Sequence, residues 1–400
     1  MNENKEAAYL EQYRRDLFDI ILPFWRDYGW DRKNGGIDTC LTREGKVFSA
    51  EKSVWMQGRG GWMMSHICKV FGVQDDYLAM AKSAIDFARE YCIDPRDGRM
   101  FFIVTREGLP VRKRRYDSSE KFYVMANAEY YGLTHDPAYL EEARKYHRLL
   151  VSIWKDPQND PFKITPKFEP TAPAMRGLAG DEVLMLVTRT LRINDPEHRE
   201  EYLQLERKLS QDIPRIYWHP RFETLLENVG PNGEYVGDYS SGRIVNPGHC
   251  MENAWSLLRA SEELDDPSLV SVARKIYDGA MRWGWDEKYG GLLYFVDVEG
   301  YAPQAYEHDM KLWWVHTEAI IAALKLYRMT GDERYWNDFV MFSDYAFEHF
   351  LDTEYGEWYG YLRRDGEPTE PRAKGNIFKG PFHVPNMYSE VVQELEKLKK

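Results

Sequence analysis

The sequence predicts an all-α protein: an (α/α)6 barrel, a toroid of inner helices ringed by outer ones, with short β-hairpins in the loops. Three observations lead there. A short motif recurs along the chain, the stretches between its copies have helical periodicity, and neither end carries the polar capping repeat that an open stack of helix pairs needs. No Pro/Gly/Ser-rich linker interrupts the pattern, so residues 1–400 are expected to form a single domain.

Four copies of the motif are clear: FWRDYGWDRKNGGI from Phe24, FAREYCIDPRDGRMFF from Phe87, AMRWGWDEKYGGLLYF from Ala280 and FEHFLDTEYGEWYGYL from Phe347. Each passes from a helix-like stretch through an Asp into a Gly turn and then a short aromatic or β-branched run. Two weaker copies are SIWKDPQNDPF (152–162) and RIYWHPRFETLL (215–226). With Asp31, Asp94, Asp156, His219, Asp286 and Asp352 as markers, the spacing is roughly 60 to 67 residues, room for two helices and their connections. Apolar residues recur at three- and four-residue intervals over 77–91, 253–264 and 316–331, which predicts helices there. The last ends in Thr330-Gly331, a helix stop. The runs LLYFVDV and EWYGYL after the Gly turns read as hairpin strands.

The formal net charge of −12 argues against nucleic acid or an anionic membrane as the main partner. The one basic cluster, VRKRR at 111–115, reads as a solvated loop. Abundant Tyr and Trp suit a cleft in which aromatic faces stack on sugar rings. Cys40, Cys68, Cys92 and Cys250 form no CxxC pair, which fits a reduced, cytoplasmic protein. The first residues lack a signal-peptide core and no stretch has the apolar length to cross a bilayer.

Four clusters place polar groups among aromatics. In VWMQGRGGWMM (54–64), Trp55, Arg59 and Trp62 share a helical face. Arg59 there suits donation to a substrate hydroxyl or a developing enolate oxygen, or else a structural ion pair. In NPGHCMENAW (246–255), Asn-Pro-Gly opens a helix whose first turn holds His249, with Glu252 three residues on and Trp255 beyond. The helix start favours a neutral imidazole and a carboxylate could orient it, as a general base requires; a structural histidine bonded to a local carbonyl is the alternative. In MKLWWVHTEAIIAAL (310–324), Trp314 and Glu318 share a face, with Trp313 and His316 on the neighbouring one. Glu318 suits hydroxyl recognition or orientation of a catalytic His, or is simply a surface acid. In FKGPFHVPN (378–386), Gly380-Pro381 and Pro385 suggest a rigid loop presenting His383 over the ring. The pairs His249/Glu252 and His316/Glu318 have no third ligand at helical spacing, so no metal site is expected. No phosphate-binding glycine motif points to a nucleotide cofactor.

Taken in order, QGR (57–59), NPGHCMENAW (246–255), KLWWVHTEA (311–319) and KGPFHVP (379–385) resemble the N-acylglucosamine 2-epimerase family over essentially the whole chain. That family, called renin-binding protein in animals, also includes cellobiose 2-epimerases and mannose isomerases. The resemblance implies an (α/α)6 barrel, a small-molecule sugar substrate, no required cofactor, ATP as an allosteric activator in some members, and a homodimer. It implies opening of the sugar ring, removal of the C2 proton to give an enediolate, and reprotonation on the opposite face. His249 and His383 match the catalytic pair and Arg59 the essential arginine. Glu252 and Glu318 match carboxylates that orient the histidines or bind hydroxyls, and Trp314 a ring-stacking position; Trp255 is grouped with them as substrate-binding. Two departures bear on the substrate. The region 171–186 lacks the additional His of cellobiose 2-epimerases and mannose isomerases, and Asn386 stands where the closest branch has Arg. Free mannose or glucose is therefore the alternative substrate. A glycoside hydrolase using Glu252 and Glu318 as its acid pair, and a non-catalytic sugar sensor, are the rival readings.

Overall fold

The computed structural model describes residues 2–113, 116–160 and 175–399. Arg114 and Arg115 of the basic cluster, Pro161 and Phe162 of the third motif copy, and 171–174 of the region without His lie outside it.

Helices come in inner and outer pairs. The outer α1 (Asn2–Asp16) continues to Gly29 through two π-helical turns, Leu17–Ile21 and Trp25–Gly29. Inner helices are α2 (Val54–Phe71), α4 (Ser118–Thr134), α6 (Leu178–Asn194), α8 (Pro247–Glu263), α10 (Trp313–Thr330) and α12 (His383–Leu398). Outer helices are α3 (Asp75–Tyr91), α5 (Pro137–Lys155), α7 (Arg199–Tyr217), α9 (Ser268–Gly284) and α11 (Glu333–His349). Inner helices such as α10 are buried on nearly every side, while the outer ones bury one stripe, as a two-layer ring demands. The ring closes, as expected: α12 meets α2 on the inside and α1 on the outside. Tyr13 of α1 lies 5.1 Å from Tyr388 of α12, centroid to centroid, and its hydroxyl is 2.7 Å from Ser343 of α11.

The recurring Asp marks a recurring turn. At Asp31, Asp94, Asp286 and Asp352 the carbonyl accepts the N–H of the Gly four residues on, at 2.8–2.9 Å. That Gly has positive φ in each case, which explains its recurrence. The residue before each marker then bridges the residue six after it, as in Trp285 and Leu292. His219 makes the same turn with Glu223 in the left-handed position. Asp156 departs from the expected repeat: Pro157 follows it and a 3-10 turn, Pro157–Asn159, forms instead, because proline sets a helical φ and has no N–H to offer.

Two-residue strands lead into the inner helices and pair antiparallel with the next repeat, for example Lys311–Leu312 with Tyr361–Leu362. These strands carry a feature the sequence reading passed over. Lys52 and Lys311 are fully buried and reach the marker aspartates Asp31 and Asp286 at 2.8 and 2.9 Å; Lys374 does the same for Asp352 at 2.9 Å. Burial, offset by the Lys52 hydrogen bond, leaves Asp31 at about 2, below the usual carboxylate range. At the far ends of the inner helices Lys325 meets Glu390 and Glu394 at 3.0 and 2.6 Å, all three buried. All four cysteines are buried and free. No helix among the described residues is long and apolar enough to cross a membrane.

Removing one partner of a buried pair leaves an uncompensated charge. Asp286→Asn is expected to cost about 3–5 kcal/mol by chemical denaturation. Asp156→Asn, at an exposed marker outside the repeated turn, should leave the midpoint nearly unmoved.

Candidate active site

The inner helices all start at one mouth, so equivalent early positions converge there. Arg59, Glu252 and Glu318 are each the sixth residue of their helix, five after Val54, Pro247 and Trp313. Trp55 and Trp314 are second residues. A cavity of about 1280 Å³ opens at this mouth, lined by Trp55, Arg59, His249, Glu252, Trp314 and His383 among others.

His249 sits in the first turn of α8, as read from NPGH. The Asn246 side chain caps the helix by accepting the His249 N–H at 3.3 Å. Gly248 lets this turn lie against Trp314, since a Cβ there would stand 2.5 Å from the indole. The imidazole does not take Glu252 as its orienting partner. Its Nδ1 lies 2.7 Å from Glu227 Oε2, because the segment after the strand Thr224–Leu225 runs beside Ile244, just ahead of α8. Glu227 is the functional-site residue that sequence reasoning missed. Its one signal is an acid directly after the apolar pair Leu225-Leu226.

His383 is not on a loop. It is the first residue of α12, the sixth inner helix, which the tail SEVVQELEKLKK continues. Pro385 is tolerated because the first-turn N–H groups have no intrahelical acceptor to lose. The ring is buried and its Nδ1 lies 2.9 Å from Glu318 Oε1. Glu318 also accepts from Trp255 Nε1 at 2.7 Å and from the Thr317 hydroxyl at 3.0 Å. Burial, then the nearby Arg59, pushes His383 down to about 3; burial pushes Glu318 up to about 7. Three donors around one carboxylate favour its ionised form, so the arrangement at neutral pH is a neutral imidazole donating Nδ1–H and leaving Nε2 as an acceptor.

Trp314 lies between the two histidines, its ring 5.0 Å from His249 and 5.8 Å from His383. The Arg59 guanidinium is held over Trp55, Phe122 and Phe382 at 4.7, 4.2 and 4.7 Å, a cation–π cage that fixes its direction. Gln57 of the same QGR stretch is structural: it accepts the Ile37 N–H at 2.7 Å and donates to its carbonyl at 2.9 Å. Trp62 stacks on His66 deeper in the ring.

Trp255 lies elsewhere than expected, and Glu318 takes the orienting one of its two expected roles. Trp255 is buried beneath Glu318, away from the large cavity, and holds that carboxylate. Glu318 itself is 1% exposed behind His383, so it orients a histidine and offers no acid across a cleft from Glu252. This removes the pairing on which the hydrolase reading rested. His316 is a core residue, donating from Nδ1 to the Leu312 carbonyl at 2.9 Å and accepting the Leu292 N–H at Nε2 at 3.0 Å. Glu252 lines the cavity, and a further carboxylate, Glu182 of α6, lies behind it. One ligand-type atom each from Glu182, His249 and Glu252 falls within 4.8 Å of the others. Burial raises both carboxyls first; the next cause is Glu252 for Glu182 and Glu318 for Glu252.

The family's sequence profile, N-acylglucosamine 2-epimerase (GlcNAc 2-epimerase), matches residues 35–379. The chain belongs to the N-acylglucosamine 2-epimerase family. It is 36% identical to the N-acylglucosamine 2-epimerase of Bos taurus over 397 residues, 98% of this chain and 92% of the bovine one. The Homo sapiens enzyme is 35% identical over 395 residues, 96% of this chain and 90% of that one. Among solved structures, the cellobiose 2-epimerase of Bacillus thermoamylovorans superposes with a TM-score of 0.84 at 21% identity, covering 97% of this chain and 99% of that one. The likeness shows the shared barrel. Membership makes this chain a sugar epimerase, an isomerase by class.

Burial pushes the core His316 down to about 3. Below about pH 6.5 its ring in the unfolded chain takes a proton that the folded ring refuses, so acid favours unfolding. The stability advantage of the wild type over His316→Gln should therefore shrink as pH falls from about 6.5 towards 4, by up to about 1.4 kcal/mol per pH unit. Urea titrations across that range check it.

Proposed function

We propose that the protein interconverts N-acyl-D-glucosamine and N-acyl-D-mannosamine by exchanging the proton on C2 between two histidines. One observation carries the reading: two imidazoles flank Trp314 at one cavity, each with Nδ1 tied to a carboxylate, Glu227 for His249 and Glu318 for His383. Inversion at a carbon α to a carbonyl passes through a planar intermediate and needs a proton carrier on each side of it.

The open-chain aldehyde stacks on Trp314 with C2 between the imidazoles. The base in its neutral form takes the C2 proton at Nε2. The C–H electron pair becomes the C1–C2 double bond, and O1 takes the negative charge. Arg59, fixed by its aromatic cage, donates to that oxygen, and a rigid donor there lowers the barrier without reorganising. The other histidine, as imidazolium, delivers a proton to the opposite face, so the two exchange charge states over one turnover. Glu227 and Glu318 hold the rings and stabilise whichever is protonated. Glu252 accepts from a sugar hydroxyl. Every step uses groups of the chain itself, and ATP belongs to this reading as an effector.

A second reading is favoured by Asn386, which is buried one turn after His383 beside Glu252 and Glu318. An amide where the resemblance implies Arg fits a free hexose, mannose or glucose, handled by the same two histidines.

Proton spectra in D2O, with N-acetylglucosamine and with or without ATP, test the proposal. N-acetylmannosamine carrying deuterium at C2 is expected, and His249→Ala and His383→Ala should each lower kcat by about 10²–10⁴. Exchange only with mannose or glucose would select the second reading. No exchange with any of these sugars would overturn both.

A further inference from the structure

Glu182 takes no part in the steps above, yet its surroundings are unusual for a carboxylate. It is the fifth residue of α6 and is fully buried. Neither carboxyl oxygen has a hydrogen-bond partner. The amide of Asn253 lies alongside and favours the ionised form, but one N–H of its Nδ2 goes to the His249 carbonyl at 2.9 Å, and its Oδ1 is also buried and unpartnered. The ionisable groups that face Glu182 are Glu252 and His249 of α8, Glu227 from the segment ahead of α8, and Glu318 of α10. Glu182 thus sits in a dry place, next to a second carboxyl whose nearest ligand-type atom is within 4.8 Å.

An unpaired carboxylate in such a place costs several kcal/mol, and two neighbouring carboxyls do not both ionise. A single proton on Glu182 resolves both problems, because its O–H can donate to Asn253 Oδ1 or to Glu252. The proton belongs on the deeper residue. Glu252 reaches the cavity and feels the positive charge of Arg59 and of either histidine when protonated, whereas Glu182 faces mainly carboxyls.

We propose that Glu182 is a positioning residue, held as a neutral carboxylic acid behind the site so that the cavity-facing Glu252 keeps the pair's one negative charge beside His249. This rests on the epimerase reading for its consequence but not for its protonation state. An ionised Glu252 remains an acceptor for a sugar hydroxyl. Without the donor behind it, Glu252 would take up the proton itself and His249 would lose an anionic neighbour.

The experiment compares the full-length wild type with Glu182→Gln and Glu182→Met. Difference infrared spectra of wild type against Glu182→Gln near neutral pH should show one protonated-carboxyl band lost. Loss of an ionised-carboxylate band instead would overturn the proposal, and this readout needs no substrate. In pH profiles of kcat/KM for the sugar turned over, Glu182→Gln, which can still donate, should hold the acid-side midpoint. Glu182→Met should raise it by about one pH unit, because Glu252 then needs a higher pH to ionise. A Gln variant displaced as far as the Met variant would overturn the proposal, since a carboxylate would then be what the site needs. Stoichiometric binding of Mn2+ or Zn2+ by the wild type, lost in Glu182→Gln, would also overturn it by making the cluster a cation site. If Glu182→Met fails to fold, or if no sugar is turned over, the infrared comparison decides alone.

Discussion

Lys379 and Glu357 meet at 2.8 Å with almost no access to solvent, and the end of the ring that carries His383 is held by that contact. Glu357 also accepts the Trp25 indole N–H at 2.6 Å, and Lys379 donates to the carbonyls of Trp358 and Lys374 at 3.0 and 2.6 Å. The first outer helix, the last Gly turn and the lead-in to the last inner helix are thereby joined four residues before His383. A buried ion pair tolerates little displacement, because each charge depends on the other and on its remaining hydrogen bonds. The chain ends therefore meet in a defined register, and His383 and His249, from distant repeats, face the same cavity.

The repeat explains why a site forms at this mouth. Inner helices that begin at one level bring equivalent positions to one ring, and Arg59, Glu252 and Glu318 occupy the same step of three of them. The lysines that precede two of these helices, Lys52 and Lys311, are spent on the marker aspartates of the outer turns. The scaffold's charges are thus satisfied locally. The polar groups at the mouth are left to aromatic cages, carboxylate–imidazole pairs and the neighbouring acids Glu182 and Glu252. Burial raises Glu182, Glu252 and Glu318 and lowers His383, a pattern that accumulates where charge is moved in a reaction.

Much of this could be read along the chain. The Asp–Gly turn recurs visibly because its positive-φ position strongly favours glycine. Periodicity located the helices within a few residues, and Gly331 ends α10 in the left-handed conformation expected of Thr-Gly. The placement of His249 followed from Asn-Pro-Gly, a local cap. Errors arose where local signals mislead. Proline suggested a loop at His383, although a first helical turn accepts proline as readily. Glu252, three residues away, is the partner that sequence proximity offers His249, but the partner arrives from another segment.

The all-α repeat, the family and the residue types at the mouth are legible along the chain, since turn chemistry and helical period are properties of neighbours in sequence. Tertiary structure decided the partnerships: Glu227 with His249, Glu318 with Trp255 and His383, Arg59 within three rings, and Glu182 behind Glu252. Those contacts join segments tens to hundreds of residues apart. Their geometry follows from how the twelve paired helices of the described residues close into one ring, which no local pattern encodes.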